Sequence, residues 1–183
     1  MREIPHCLSS QIVYSGYLDV RVDQLHLASS EAKGSYTVVL APVTAAVILL
    51  EDEDHRLLIN WEYRHPTGKY LLGLPGGKIE DNEDPLVSAK RELLEETGYQ
   101  AESWHLLGTH HPFPSCCSQK IYYYLATRPS AKTKPALEPL ELIEPHWLEE
   151  SAIHDHLEKG LSADGILLTA LYLRNIFLNK KIP

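Results

Sequence analysis

Cysteine is scarce in this 183-residue chain: Cys7, Cys116 and Cys117, an odd number with two of them adjacent. Such a set does not build a disulfide framework, and a reduced, cytoplasmic compartment is the simpler reading. Long apolar runs are also missing. The longest, Val43–Leu50 and Ile166–Leu173, are too short to span a bilayer. The opening MREIPHCLSS has no apolar core of signal-peptide length, so a soluble protein with no membrane partner is expected. Basic charge is in deficit, with 17 Lys and Arg against 25 Asp and Glu and a formal net charge of −8. A surface that coats nucleic acid would be basic, so no nucleic-acid partner is expected. Nucleotides stay open, because a metal can supply the positive charge they need. Hydrophobic residues make up 44% of the chain, enough for a core, and the length suits one domain with a small appended subdomain.

Gln11–Leu27 alternates in part, with a break near Ser15-Gly16, which predicts strands. Ala28–Ser35 is polar and predicts a connection turning at Lys33-Gly34, before the β-branched strand Ser35–Leu40. These make a small antiparallel sheet over residues 1–41, with Ala41-Pro42 as the joint to a main domain over 42–183. Val43–Leu50 fits a strand buried on both faces. An acidic turn, Glu51–His55, leads to a strand over Arg56–Tyr63, a break at Arg64–Gly68, and an approach Tyr70–Leu74. Further strands are predicted over Gln100–Leu107 and Lys120–Ala126, and residues 128–139 as a proline- and lysine-rich loop. Helices close the chain near Glu149–Lys159 and Asp164–Asn179, the last with a core-facing stripe of Ile166, Ala170, Leu173 and Phe177. The pattern is α+β or mixed α/β.

The chain is organised around Leu74–Tyr99, LPGGKIEDNEDPLVSAKRELLEETGY. Asp84 suits an N-cap, Pro85 the first helical position and Gly98 the C′ position, so a helix is predicted between them. Glu92, Glu95 and Glu96 fall on or near one face at offsets of three and four. Like charges at that spacing cost an isolated helix about 0.2–0.5 kcal/mol per pair. They also sit at the negative end of the helix dipole. A solvated acidic face and a site for a hard cation such as Mg²⁺ or Mn²⁺ both fit the triplet taken alone.

The surrounding residues decide between them. Gly77, Glu83 and Arg91-Glu92-Leu93-Leu94-Glu95-Glu96-Thr97-Gly98-Tyr99 read Gx5Ex7REUxEExGU, where U is a bulky apolar residue. This resembles the Nudix box of hydrolases that cleave nucleoside diphosphates linked to another moiety. The only soft position is Tyr99, aromatic where an aliphatic residue is usual. Beyond the box, LLINWEYRHP, the proline loop after it and GLSADGILLTALYL resemble the ADP-ribose and nucleotide-sugar pyrophosphatases. The resemblance implies an α/β/α sandwich with a mixed sheet, preceded by a small N-terminal antiparallel β-subdomain that forms a homodimer. It implies that Mg²⁺, with Mn²⁺ as a substitute, is held by Glu92, Glu96, Glu95 and the carbonyl of Gly76. Glu95, Glu96, Glu83 and Arg91 match the catalytic positions, Arg91 as the anchor of the acidic loop and helix. Arg64 matches a substrate-phosphate ligand, with a salt bridge to the acidic loop as the alternative. Pro114, fifteen residues after Tyr99, matches a marker proline of the ADP-ribose hydrolases. Trp61, Tyr17 and Phe113 could each stack a nucleobase or simply pack in the fold.

Three departures stand out. Gly73 occupies a position that is often Glu, and Glu62 one that is often Gln. Gln119 stands where these enzymes often place a catalytic acid, and an amide cannot act as a general base. Either Glu95, Glu96 or Glu83 takes that role or the substrate is not ADP-ribose. The functional expectation is hydrolysis of ADP-ribose or a related nucleotide sugar to a nucleoside monophosphate and a sugar phosphate. GDP-mannose, a UDP-sugar, or a nucleotide-sensing protein without catalysis are the alternatives.

Overall fold

The computed structural model describes residues 3–40 and 44–180. The expected joint at Ala41-Pro42 lies outside the described residues. Two compact units emerge, one of Met1–Thr44 with His111–Lys120 and one of Ala45–His110 with Ile121–Pro183. This division differs from 1–41 and 42–183, because the loop after β8 groups with the N-terminal strands.

In the first unit β1 (His6–Tyr14), β2 (Asp19–Leu27) and β3 (Ala32–Leu40) form an antiparallel sheet in that order. The turn between β2 and β3 falls at Ala28–Glu31, with Glu31 at φ 54°, and not at Lys33-Gly34. Those two residues pair inside β3 with His26 and Leu25. The loop joins this unit through Val39 N–H, which donates to the Cys116 carbonyl at 2.7 Å.

The second unit is built on a seven-stranded mixed sheet in the order β10-β5-β4-β9-β8, with β6 on β5 and β7 on β4. β4 (Ala45–Glu51) is buried at every residue, as its unbroken apolar run requires. It runs parallel to β9 (Ile121–Ala131) and antiparallel to β5 (Leu57–Arg64). β6 spans Lys69–Gly73, β7 Gly76–Lys78 and β8 Tyr99–His110. β9 runs past the expected loop start and carries Pro129 within it. Its pairing with β4 ends at Thr127, so beyond that point only β8 pairs with it, and a missing N–H is tolerated. β10 (Ile143–Leu148) is a strand that the sequence pattern did not show; it lies at the sheet edge on β5, where Pro145 is likewise tolerated.

α1 (Pro85–Thr97) packs Ala89 and Leu93 against Ala46, Ile48, Leu50 and Leu58. Leu93 is fully buried, and its truncation to Ala would cost about 3 kcal/mol. α2 (Glu150–Glu158) and α3 (Gly165–Asn179) follow β10. The buried face of α3 is Leu167, Ala170 and Arg174. Of the expected stripe only Ala170 is fully buried, while Ile166, Leu173 and Phe177 flank it half-buried. No helix among the described residues is long and apolar enough to cross a membrane.

Candidate active site

The N-cap of α1 forms as its sequence dictates. Asp84 accepts from Leu86 N–H at 2.9 Å and Val87 N–H at 3.3 Å, and Gly98 closes the helix at φ 73°. The helix is tied to β7 by Ser88 Oγ and Arg91 Nη2, both donating to the Lys78 carbonyl. Two glycines allow this close approach. A Cβ on Gly76, at φ 149°, would lie 2.3 Å from the Ala46 carbonyl oxygen, and one on Gly77 would lie 2.6 Å from the Glu92 carboxylate.

Arg91 organises the acidic residues. Its Nε and Nη2 grip both oxygens of Glu83 at 3.1 Å, and its Nη1 reaches Glu92 at 2.8 Å and Glu95 at 3.0 Å. The Arg91 guanidinium and the Glu80 N–H hold the Glu83 carboxyl down at about 2. Glu83 is therefore a poor proton acceptor near neutrality and serves as a clamp for the helix.

Glu96 is the opposite case. It is 7% exposed, and its Oε2 accepts from Asn60 Nδ2 at 2.9 Å and from Gly76 N–H at 3.2 Å. Burial, then the charges of Glu62 and Glu92, push its carboxyl well above the ordinary range. Burial also raises Glu92, despite its contact with Arg91. Glu62 is raised by burial, with Arg64 opposing and Asp164 reinforcing the shift.

Among the described residues no three His, Cys, Asp or Glu side chains converge as a ready metal cage. The donor chemistry nevertheless fits a hard divalent cation. Hydrogen bonds, not a basic side chain, meet the buried Glu96 carboxylate. The neighbouring Asn60 Oδ1 is buried with no hydrogen-bond donor. Mutually repelling oxygen ligands of this kind are relieved by a cation such as Mg²⁺.

Within the second unit the structure brings Gly76, Glu83, Arg91, Glu92, Glu95 and Glu96 together. Arg64 Nη1 lies 2.6 Å from Glu62 and its Nη2 3.6 Å from Asp164, so its partners are not those of the acidic loop. Trp61 alternates with Asn60 and Glu62 along β5 and so faces the other side of the sheet. There it stacks on Tyr70, with centroids 6.1 Å apart, and meets His156 edge-on. Cavities of about 400 and 440 Å³ flank it. Pro114 and Gln119 belong to the loop of the first unit, where His111 Nδ1 lies 2.8 Å from the Gln119 carbonyl. Asn60 was not among the expected site residues, and Glu62 stood out only as a departure from the family pattern. Their signal was the alternation Asn60, Glu62, Arg64, which sets three polar side chains on one face of an otherwise apolar strand.

A NUDIX domain model matches residues 41–169. A CMP-5'-(N-acetyl-N-hydroxy-3-aminopropyl)phosphonate hydrolase of Streptomyces rubellomurinus is 35% identical over 146 residues, covering 78% of this chain and 70% of that protein. An ADP-ribose pyrophosphatase of Bacillus subtilis is 27% identical over 139 residues, covering 75% and 74%. The crystal structure of an ADP compounds hydrolase shares the fold, with a TM-score of 0.85 at 24% identity over 97% of this chain and 96% of that one. With the box set on α1 and β7 as described, and the family model spanning most of the chain, this protein is a member of the Nudix hydrolase family.

Proposed function

We propose that this protein is a metal-dependent pyrophosphohydrolase acting on a nucleoside diphosphate linked to a second moiety, ADP-ribose or a related nucleotide sugar. The products are a nucleoside monophosphate and a sugar phosphate, and the setting is the cytoplasm. The observation that carries this reading is the buried Glu96, surrounded by Glu92 and Glu62 and met by no basic side chain. The similarity to an ADP-ribose pyrophosphatase supports the substrate class.

Glu92, Glu96 and Gly76 would hold Mg²⁺, or Mn²⁺ in its place, with Glu95 beside them. When bound, the cation neutralises diphosphate charge and acidifies a water. Arg91, clamped by Glu83, fixes the helix so that the three glutamates keep their spacing. Glu95 has the most exposed side chain of the three and is the carboxylate placed to take a proton from water. Arg64 lies on the same strand face as Asn60 and offers its guanidinium to a phosphate. Positioning and electrostatics supply most of the rate.

A panel of ADP-ribose, GDP-mannose, UDP-glucose, dinucleoside polyphosphates and dNTPs tests the reading through Mg²⁺-dependent release of a monophosphate. Turnover of ADP-ribose is expected, and no turnover of any diphosphate compound would remove the enzyme assignment. A nucleotide other than ADP-ribose is the second reading. The three departures at Gly73, Glu62 and Gln119 favour it, as does similarity to a hydrolase of a CMP-linked phosphonate. Homodimerisation belongs to the same proposal. β1 is exposed along its entire length and presents Leu8, Ile12, Val13 and Tyr14, an apolar set suited to a second copy of the chain. Sedimentation at micromolar concentration should give a dimer, and a monomer would refute this part.

A further inference from the structure

The side chain of Glu62 borders the position that a side chain at residue 73 would take. Asn60 pairs with Gly73 across β5 and β6, and Glu62 follows Asn60 by two residues on the same face. A Cβ on Gly73 would meet Glu62 Oε2 at 3.7 Å and nothing else within 4 Å. The other oxygen of Glu62 is bound to Arg64 Nη1 at 2.6 Å. The face that carries Glu62 also carries Asn60, whose amide donates to Glu96 and whose oxygen is fully buried without a donor. The buried Asn60 Oδ1, with no donor, is an observation independent of the acidic cluster itself.

We propose that Glu62 is a further carboxylate of the cation site, delivered from β5 beside Gly73. It acts together with Glu92 and Glu96 and couples that site to Arg64. The two sequence departures at positions 62 and 73 then become one change. The acid missing from β6 is supplied by the neighbouring strand, whose Glu62 borders the open position at Gly73. This rests on the proposed metal-dependent hydrolysis and names a residue that the motif does not include.

The test measures Mn²⁺ bound by the full-length protein without substrate, by electron paramagnetic resonance. Glu62→Gln should weaken Mn²⁺ binding by about tenfold to a hundredfold, the range seen when a supporting group of a metal site is removed. The metal-free variant should melt at or above the wild-type temperature, because a buried charge has gone. The double variant E62Q/G73E, which returns a carboxylate from β6, should recover most of the affinity. Gly73 accepts a side chain, since its only neighbour is the one being exchanged. Should E62Q fold poorly, E62D keeps the charge, withdraws it by one methylene, and must show the same direction of loss. Unchanged affinity in E62Q, or a loss that E62Q/G73E does not recover, overturns the inference. A wild-type protein that binds no Mn²⁺ would sink the proposed function as well, so the two failures are distinguishable.

Discussion

Glu51 and Glu96 are equally buried, at 6% and 7% exposure, and their chemistry is opposite. Glu51 ends β4 with Arg174 Nε at 2.8 Å and His55 Nδ1 at 2.5 Å, and Arg174 is further held by Glu150 at 2.9 Å. Burial pushes the Glu51 carboxyl up, but the hydrogen bonds from Arg174 and His55 outweigh it, and the net shift is downward. Glu96 has amide donors only and two neighbouring carboxylates, and its shift is upward. Burial alone therefore does not mark a functional acid. The mark is burial without the countercharge that the fold provides elsewhere. The first region is a completed structural ion pair, and the second meets its buried carboxylate with amide donors alone.

The largest effect that could break this contrast is on turnover. Glu96→Gln should lower activity by orders of magnitude while leaving the metal-free protein as stable as wild type or more so. Near-native turnover in the folded variant would mean that Glu96 is not the centre of the site. Arg174→Met should behave inversely. It strands Glu51 without its cation and should cost about 3 kcal/mol in urea unfolding, with kcat unchanged. A loss of kcat at full stability would erase the distinction. Trp61→Ala sharpens the contrast between the two faces of β5. With Trp61 packed on Tyr70 and His156, a loss of roughly 2 kcal/mol and an unchanged KM are expected. A large rise in KM without destabilisation would restore Trp61 as a base-stacking residue.

The smallest effect is in the pH dependence. For Glu62, Glu92 and Glu96 the folded state raises the carboxyl above its ordinary 4.5. The stability tied to their protonated forms is complete below 4.5 and is lost as pH rises through the raised values. Glu83 has the reverse sign. Its contribution is present above 4.5 and is lost only as pH falls towards about 2. Melting temperatures of metal-free protein should therefore decline from weakly acidic to neutral pH, and Mg²⁺ should flatten the decline. A profile that Mg²⁺ leaves untouched would argue that these carboxylates do not share a cation.

Much of this was legible because local chemistry carried it. Asp84, Pro85 and Gly98 delimit α1 whatever it packs against, and the apolar run of β4 admits no solvent face. What escaped depended on distant partners. β10 holds Pro145, which reads as a breaker until β5 is seen to pair with it at the sheet edge. Lys33-Gly34 has turn chemistry, yet the register with His26 and Leu25 draws it into β3. In the site, the motif supplied the residues of α1 and β7, whereas Asn60 and Glu62 enter from β5 and belong to no motif. Only the side alternation of a strand connects them to Glu96, and that same alternation turns Trp61 away.

The parallel pairing of β4 with β9 has a consequence for the order of events in folding. β4 can meet β5 and β7 as soon as the following segments exist, and α1 can settle on them. Its other edge must wait until the chain has traversed α1, β8 and the long loop before β9 is delivered. Pairings of such separation raise contact order and slow folding. During that interval the strand that underlies the whole catalytic face has one row of backbone hydrogen bonds unmade, which exposes the nascent chain to mispairing. Closing the sheet on that edge therefore waits for β9, and the pairing of β10 with β5 comes later still along the chain.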